Sequence, residues 1–214
     1  ELQDLRAYHG LDASLELVGS LAREIALEWN QVVLAEMLAG ATAGNENFGT
    51  TAPSGYTQKE WDEYISRYLD KASNDIFKKR NGDMTHIIAG PDAWLKLSAT
   101  FRTGTDPRSG PNPEQFAGLT LTPFMMGTAP GVKTYKTSFW AGSNTNKILV
   151  LRRGTDWSDT PYVWAPYLDY VSPVLTLPDT FNQKQGIMSR VAHQVVVGDA
   201  MATVTIGAGT GVTV

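Results

Sequence analysis

Hydrophobic positions recur at helical spacing from residue 12 to residue 39. Leu15, Val18, Ala22, Ile25, Trp29 and Val32 form one stripe, and Glu16, Arg23, Glu24 and Glu28 fall largely off it. Asp12 is placed to cap the first turn and Gly40 to stop the last. Such a helix runs roughly 40 Å at about 1.5 Å rise per residue. The stretch from Gly40, GATAGNENFGTTAPSG, is rich in Gly, Ala and Asn and predicts a surface loop or hinge. Thr57 and Glu60 then stand at capping-box spacing, so that each side chain can satisfy the other's backbone N–H. Trp61, Tyr64, Ile65, Tyr68, Leu69, Ala72 and Ile76 make a broad apolar stripe behind them, closed by KKRNG. THIIAG reads as a short buried strand, and PDAWLKL as a short helix with Pro91 in its first turn, where no N–H is needed.

From Gly131 the period changes to two. VKTYKTSFW, KILVLRR, YVWAPY and YVSPVLTL read as strands, and the longest covers 187–197 with Ile187, Val191, Val195 and Val197 on one face and Arg190 and Gln194 on the other. That strand would extend roughly 36 Å at about 3.3 Å per residue. A long helix and a long strand of similar reach predict an elongated lobe in an α+β protein. Residues 102–118, rich in Gly and Pro, predict a long exposed loop of the kind that binds something or crosses to a neighbour. The segment PYVWAPYLDY, 161–170, concentrates aromatic rings between two prolines. Pro161 and Pro166 limit ladder pairing, so a strand that breaks and changes direction is expected there, a structural corner rather than a pocket wall. GAGTG, 207–211, resembles a dinucleotide loop but has too little chain after it to form a helix, and it reads as a flexible tail.

Composition narrows the class. With 214 residues, 42% apolar and 19% charged, the chain is of ordinary globular type, one large domain or two lobes sharing a core. A net charge of −4 argues against a strongly nucleic-acid-binding surface. Lys78, Lys79 and Arg80 cluster where a helix ends and suit its dipole. Cysteine is absent, which excludes disulfides, thiolate metal sites and cysteine nucleophiles. No apolar run is long enough to span a bilayer, and no signal peptide is visible. The chain begins at Glu1, which suggests a processed product, a fragment or the ordered part of something longer.

Candidate chemistry is sparse. His9, His86 and His193 stand alone, without metal-ligand spacing, and His193 shares an apolar strand face as a structural or interface residue. Asp156 and Asp159 in GTDWSDT fit a turn between strands better than a calcium loop or an acid/base pair. No phosphate-binding loop, nucleophile elbow or triad is present, so neither enzyme activity nor a cofactor or metal is expected.

Several stretches in order resemble the major capsid protein of tailed bacteriophages, T-even type. These are ELQDLRAYHGLDASLELVGSLAREIALEWNQVV, then YLDKASNDIFKKRNGDMTHIIAGPDAWLKLSA, then PYVWAPYLDYVSPVLTLPDTFNQKQGIMSRVAHQVVV. Within the last, Ala165-Pro166-Tyr167, Phe181-Asn182, Gly186 and Arg190 carry the likeness. It is looser over 41–56 and 102–130. The resemblance implies the Hong Kong 97-like phage capsid fold, with a long spine helix and long strands in a peripheral domain and a separate axial domain. It implies that 1–50 hold the end of an extended loop and the spine helix, 51–165 the axial domain, and 166–214 the return and C-terminal tail. It further implies a subunit that self-assembles into hexamers and pentamers as a head shell around DNA. The shell would form in the host cytoplasm and contact portal, scaffolding or decoration proteins, with at most weak non-specific contact with DNA and none with membrane. Charges expected to set register between subunits are Arg102, Asp106 and Arg108 on the loop and Asp179, Lys184 and Arg190 on the peripheral strands. The family's N-terminal arm and most of its extended loop precede the matching region, so a core fragment is expected. The same fold also serves encapsulin-like nanocompartment shells, a second reading. A third is an enzyme with a pocket around Trp164, Tyr167 and Asp156.

Overall fold

The computed structural model describes residues 13–102, 122–124, 132–154, 156, 159–173, 175–176 and 183–210. Helix α1 spans Ala13–Ala39 and ends where predicted, at Gly40, whose N–H reaches the Glu36 carbonyl at 2.8 Å. The expected cap Asp12 lies outside the described residues. The apolar stripe predicted for 57–80 is buried at Trp61, Ile65, Tyr68, Leu69, Ala72 and Ile76. The helix itself divides at Tyr64 into α2, Gln58–Glu63, and α3, Ile65–Arg80. Thr57 forms the full capping box with Glu60, and Asn81 closes α3 in the left-handed region at φ 53°. Helix α4 covers Pro91–Arg102, so Arg102 ends a helix, and the rest of the expected loop lies outside the described residues.

The strands are β1 Asn45–Thr51, β2 His86–Ala89, β3 Thr122–Phe124, β4 Lys133–Lys136, β5 Lys147–Leu151, β6 Tyr162–Val171, β7 Leu175–Thr176, β8 Gln183–Lys184, β9 Ile187–Val195 and β10 Met201–Thr210. One sheet has six strands in the order β1-β10-β5-β2-β4-β3, and β6 pairs β9 and β7 pairs β8 separately. Within the large sheet β1 runs parallel to β10 and β2 parallel to β4, and the other neighbours are antiparallel.

Two sequence expectations are overturned here. The supposed loop after Gly40 contains β1, in register with β10 from Asn45 opposite Thr203 to Gly49 opposite Gly207. The supposed tail at 207 continues β10 as far as Thr210. Both segments are Gly- and Thr-rich. Long-range pairing and one buried ring, Phe48, hold them as strands against their composition.

The chain divides into two units, Glu1–Asn30 with Trp164–His193, and Gln31–Val163 with Gln194–Val214. The second holds the six-stranded sheet, covered on both faces. On one face Ile87, Ala89, Ile148, Val150, Ala202 and Val204 pack with the buried side chains of α2, α3 and α4. On the other, Ile88, Leu149, Leu151 and Met201 meet Leu34 and Met37 of α1 and Trp140. The unbroken run Ile148-Leu149-Val150-Leu151 follows from this, because a strand covered on both faces has no polar side.

Candidate functional site

The first unit contains a ribbon in which β6 and β9 pair antiparallel. Asp169 Oδ1 accepts from the Ser189 hydroxyl at 2.6 Å, and the Ser172 N–H donates to the Gly186 carbonyl at 2.8 Å. The Gly186 N–H returns a bond to Ser172 Oγ at 2.7 Å, so the ribbon's end is tied from both strands. Strand β9 alternates as its period predicts: Ile187, Val191, His193 and Val195 are half-buried, and Met188, Arg190, Ala192 and Gln194 are exposed.

Strand β6 does not alternate. Every residue from Val163 to Val171 is exposed, including Trp164, Leu168 and Tyr170, with Tyr167 at 68%. The strand also runs unbroken through Pro166, which corrects the expected break and corner. A two-stranded ribbon leaves an unpaired edge on each strand, and proline is tolerated on such an edge. PYVWAPYLDY is thus neither pocket wall nor corner but an open strand. Leu175 of β7 and Met188 of β9 are exposed as well. So many large apolar side chains exposed along one strand mark an interaction surface.

Three rings pack together at one end of the ribbon. Trp29 of α1 meets Trp164 edge-on at 5.2 Å and His193 at 5.4 Å, and Trp164 lies over His193 at 5.9 Å with planes 25° apart. His193 is therefore a packing residue, as its place in the sequence suggested. The ring cluster joins three segments distant in sequence, and no local pattern announces their meeting.

A family model described as "Gp23: Major capsid protein Gp23" matches residues 1–212. The chain belongs to this major capsid protein family. A sequence comparison with curated proteins finds no match. Among solved structures the chain is similar to one from Mycobacterium phage Che8, with TM-score 0.56 and 13% identity over 94% of this chain and 65% of that one. It is also similar to the holo-SrpI encapsulin complex from Synechococcus elongatus, with TM-score 0.60 and 14% identity over 96% of this chain and 70% of that one. The fold is the Hong Kong 97-like capsid fold, mixing helix and strand as the resemblance implied. The chain thus spans 65% of the length of the Che8 protein.

In this capsid-family chain the predicted register charges are only partly placed. Arg190 is exposed on β9 between Met188 and Ala192, and Lys184 is exposed on β8 opposite Leu175. Asp106, Arg108, Asp179 and the Arg102 side chain lie outside the described residues. The pocket reading gains nothing from its own residues. Trp164 is spent in the ring cluster, Tyr167 is open to solvent, and Asp156 sits in a turn, its carbonyl accepting from the Asp159 N–H and Thr160 hydroxyl at 3.1 Å each. Asp159 pairs with Arg152 at 3.1 Å. Among the described residues no cluster of His, Asp or Glu is arranged to hold a metal, and no helix is long and apolar enough to cross a membrane.

Proposed function

We propose that this chain is the shell-forming part of a phage head subunit, acting by repeated self-association without catalysis. The observation that carries the reading is the open β6 strand, whose rings and aliphatic side chains have too much apolar surface exposed for an isolated ribbon. Family membership supports the same reading. On this account subunits gather into hexamers and pentamers in the host cytoplasm and close as a virion shell around DNA. The many modest contacts of such a shell add to high avidity. Portal, scaffolding or decoration proteins are further partners, and contact with the enclosed DNA is weak. The axial role expected of 51–165 falls on this reading to the unit that holds the six-stranded sheet, which also takes in β1 and β10, and the peripheral role to the unit that holds the ribbon. Arg102, Asp106, Arg108, Asp179, Lys184 and Arg190 act as rim charges that set register between neighbours. The encapsulin likeness favours a second reading, a nanocompartment shell enclosing protein cargo.

Replacing both Tyr167 and Tyr170 by Asp in the full-length protein tests the proposal. Both side chains are exposed in the subunit, so its melting temperature should hold while particle yield collapses. Particle yield equal to wild type would refute it. Charge reversal at Arg190 and Arg108 tests the register residues in the same assay, and unchanged yield would remove them from the interface.

A further inference from the structure

Three hydrogen-bond donors, His86, Lys133 and Arg153, stand at one end of the six-stranded sheet. His86 opens β2, opposite Lys133 of β4 on one side and Leu151 of β5 on the other. Arg153 lies just beyond β5, and its backbone N–H donates to Thr85 Oγ1 at 2.8 Å. That hydroxyl lies 2.7 Å from His86 Nδ1 and 3.4 Å from the Leu151 carbonyl. We assign the hydroxyl proton to the shorter contact, so Nδ1 accepts and the ring proton sits on Nε2. Tyr135 lies parallel to the imidazole, with centroids 6.0 Å apart and planes 10° apart. Burial, then the charges of Lys133 and Arg153, keep the His86 pKa below its ordinary value.

Other cations of the same unit are committed to acids: Arg152 to Asp159 at 3.1 Å and Lys79 to Asp199 at 3.0 Å. Lys133 and Arg153 are exposed and form no ion pair among the described residues, and neither does Asp83, the nearest acid along the chain to His86.

We propose that Lys133, Arg153 and His86 form a site for a phosphate group, either the phosphodiester of a nucleic-acid backbone or free inorganic phosphate. Lys133 stands opposite His86 in the ladder, Arg153 is tied to Thr85 beside it, and neither cation pairs with a carboxylate among the described residues; an ammonium, a guanidinium and an imidazole N–H so placed suit an oxyanion with several acceptor oxygens. A carboxylate from a second copy would use the two parallel donors of Arg153 and leave the histidine idle. The site deepens the shell reading by naming where enclosed nucleic acid touches the subunit, and it rests on that reading only for this source of the phosphate.

The test is fluorescence anisotropy of a labelled short DNA duplex with the full-length protein. Replacing Lys133 and Arg153 together by Gln should weaken binding about tenfold and lower the salt slope by roughly 0.9 per lost phosphate contact. His86→Gln should weaken it less. A control pair, Lys59→Gln with Arg67→Gln, should leave it unchanged, and circular dichroism should show all variants folded. Displacement of the duplex by inorganic phosphate, beyond that by chloride at equal ionic strength, identifies a site for phosphate from either source. Its absence restricts the site to the nucleic-acid backbone. Equal effects of the two pairs would overturn the proposal. So would a change in self-association without a change in DNA binding, which would assign the cations to a partner carboxylate. Particle mass measured on the same samples separates the two claims, because subunits that bind DNA through these residues yet never assemble would sink the shell reading alone.

Discussion

Trp61 shows how much one side chain anchors. It is fully buried, stacked on Phe48 at 5.3 Å, and donates its Nε1–H to the Gly49 carbonyl at 2.6 Å. Trp61→Ala should cost about 3–5 kcal/mol in a denaturant titration, since it empties a fully buried site and removes the indole's bond to a carbonyl of β1. A loss under about 1 kcal/mol would contradict that placement. Tyr162 makes a different prediction. Its hydroxyl donates to Glu36 at 2.9 Å, and burial, with this bond, pushes the phenol's pKa well above its ordinary value. The unfolded phenol ionises near pH ~10. The stabilisation is therefore complete below that pH and is lost as pH rises towards the folded value, because the unfolded chain sheds its proton first. Melting curves above that pH should fall more steeply for wild type than for Tyr162→Phe, and parallel curves would refute the linkage. The Thr57–Glu60 box was legible because both partners lie within one turn. The bonds from Lys79 to the Thr42 carbonyl at 2.7 Å and to Asp199 at 3.0 Å were not, because nothing local announces partners so distant in sequence. Sequence reading treated Lys79 as a helix-end cation only.

Elements with a strong period were read well. Those set by tertiary pairing were not. Helix α1 was found with its stop, but its predicted stripe omitted Leu34 and Met37, which are buried beneath the sheet while Ala22, a stripe member, is exposed. The cause is local: Val33, Leu34, Met37 and Leu38 bring a second apolar face to the last turns, and this face packs. Strand β6 was expected to break because Pro166 removes a donor, and it continues because an edge strand has donors to spare. The turn at Gly198–Ala200 shows a constraint that only the structure reveals. A Cβ on Gly198 would lie 2.5 Å from the Gly40 carbonyl oxygen and 2.8 Å from Thr42 Oγ1. Gly198→Ala should thus destabilise by about 1–3 kcal/mol, because backbone must move. Gly40→Ala, whose Cβ would meet the Val195 methyls at 2.8 and 2.9 Å and the Glu36 carbonyl oxygen at 3.2 Å, should cost less, because a side chain gives way more readily than backbone. The same denaturant titration ranks the two, and a reversed order would show that the Gly40 carbonyl is the more yielding neighbour.

For the whole molecule, composition alone led no further than an ordinary α+β chain without recognisable catalytic machinery. The ordered resemblance across the chain supplied the capsid family, which the match over residues 1–212 shows. The register charges were the least legible part, because interfaces between subunits are set by a partner's surface, and only Lys184 and Arg190 have described side chains. The surface that the fold leaves open is instead apolar, along β6, and sequence reading had assigned that segment to a corner. The most direct test of the central claim is the particle mass of the full-length protein in solution, by light scattering with negative-stain microscopy on the same sample. The account predicts closed shells of many subunits. A single-subunit mass at every concentration, with the protein folded, would contradict it.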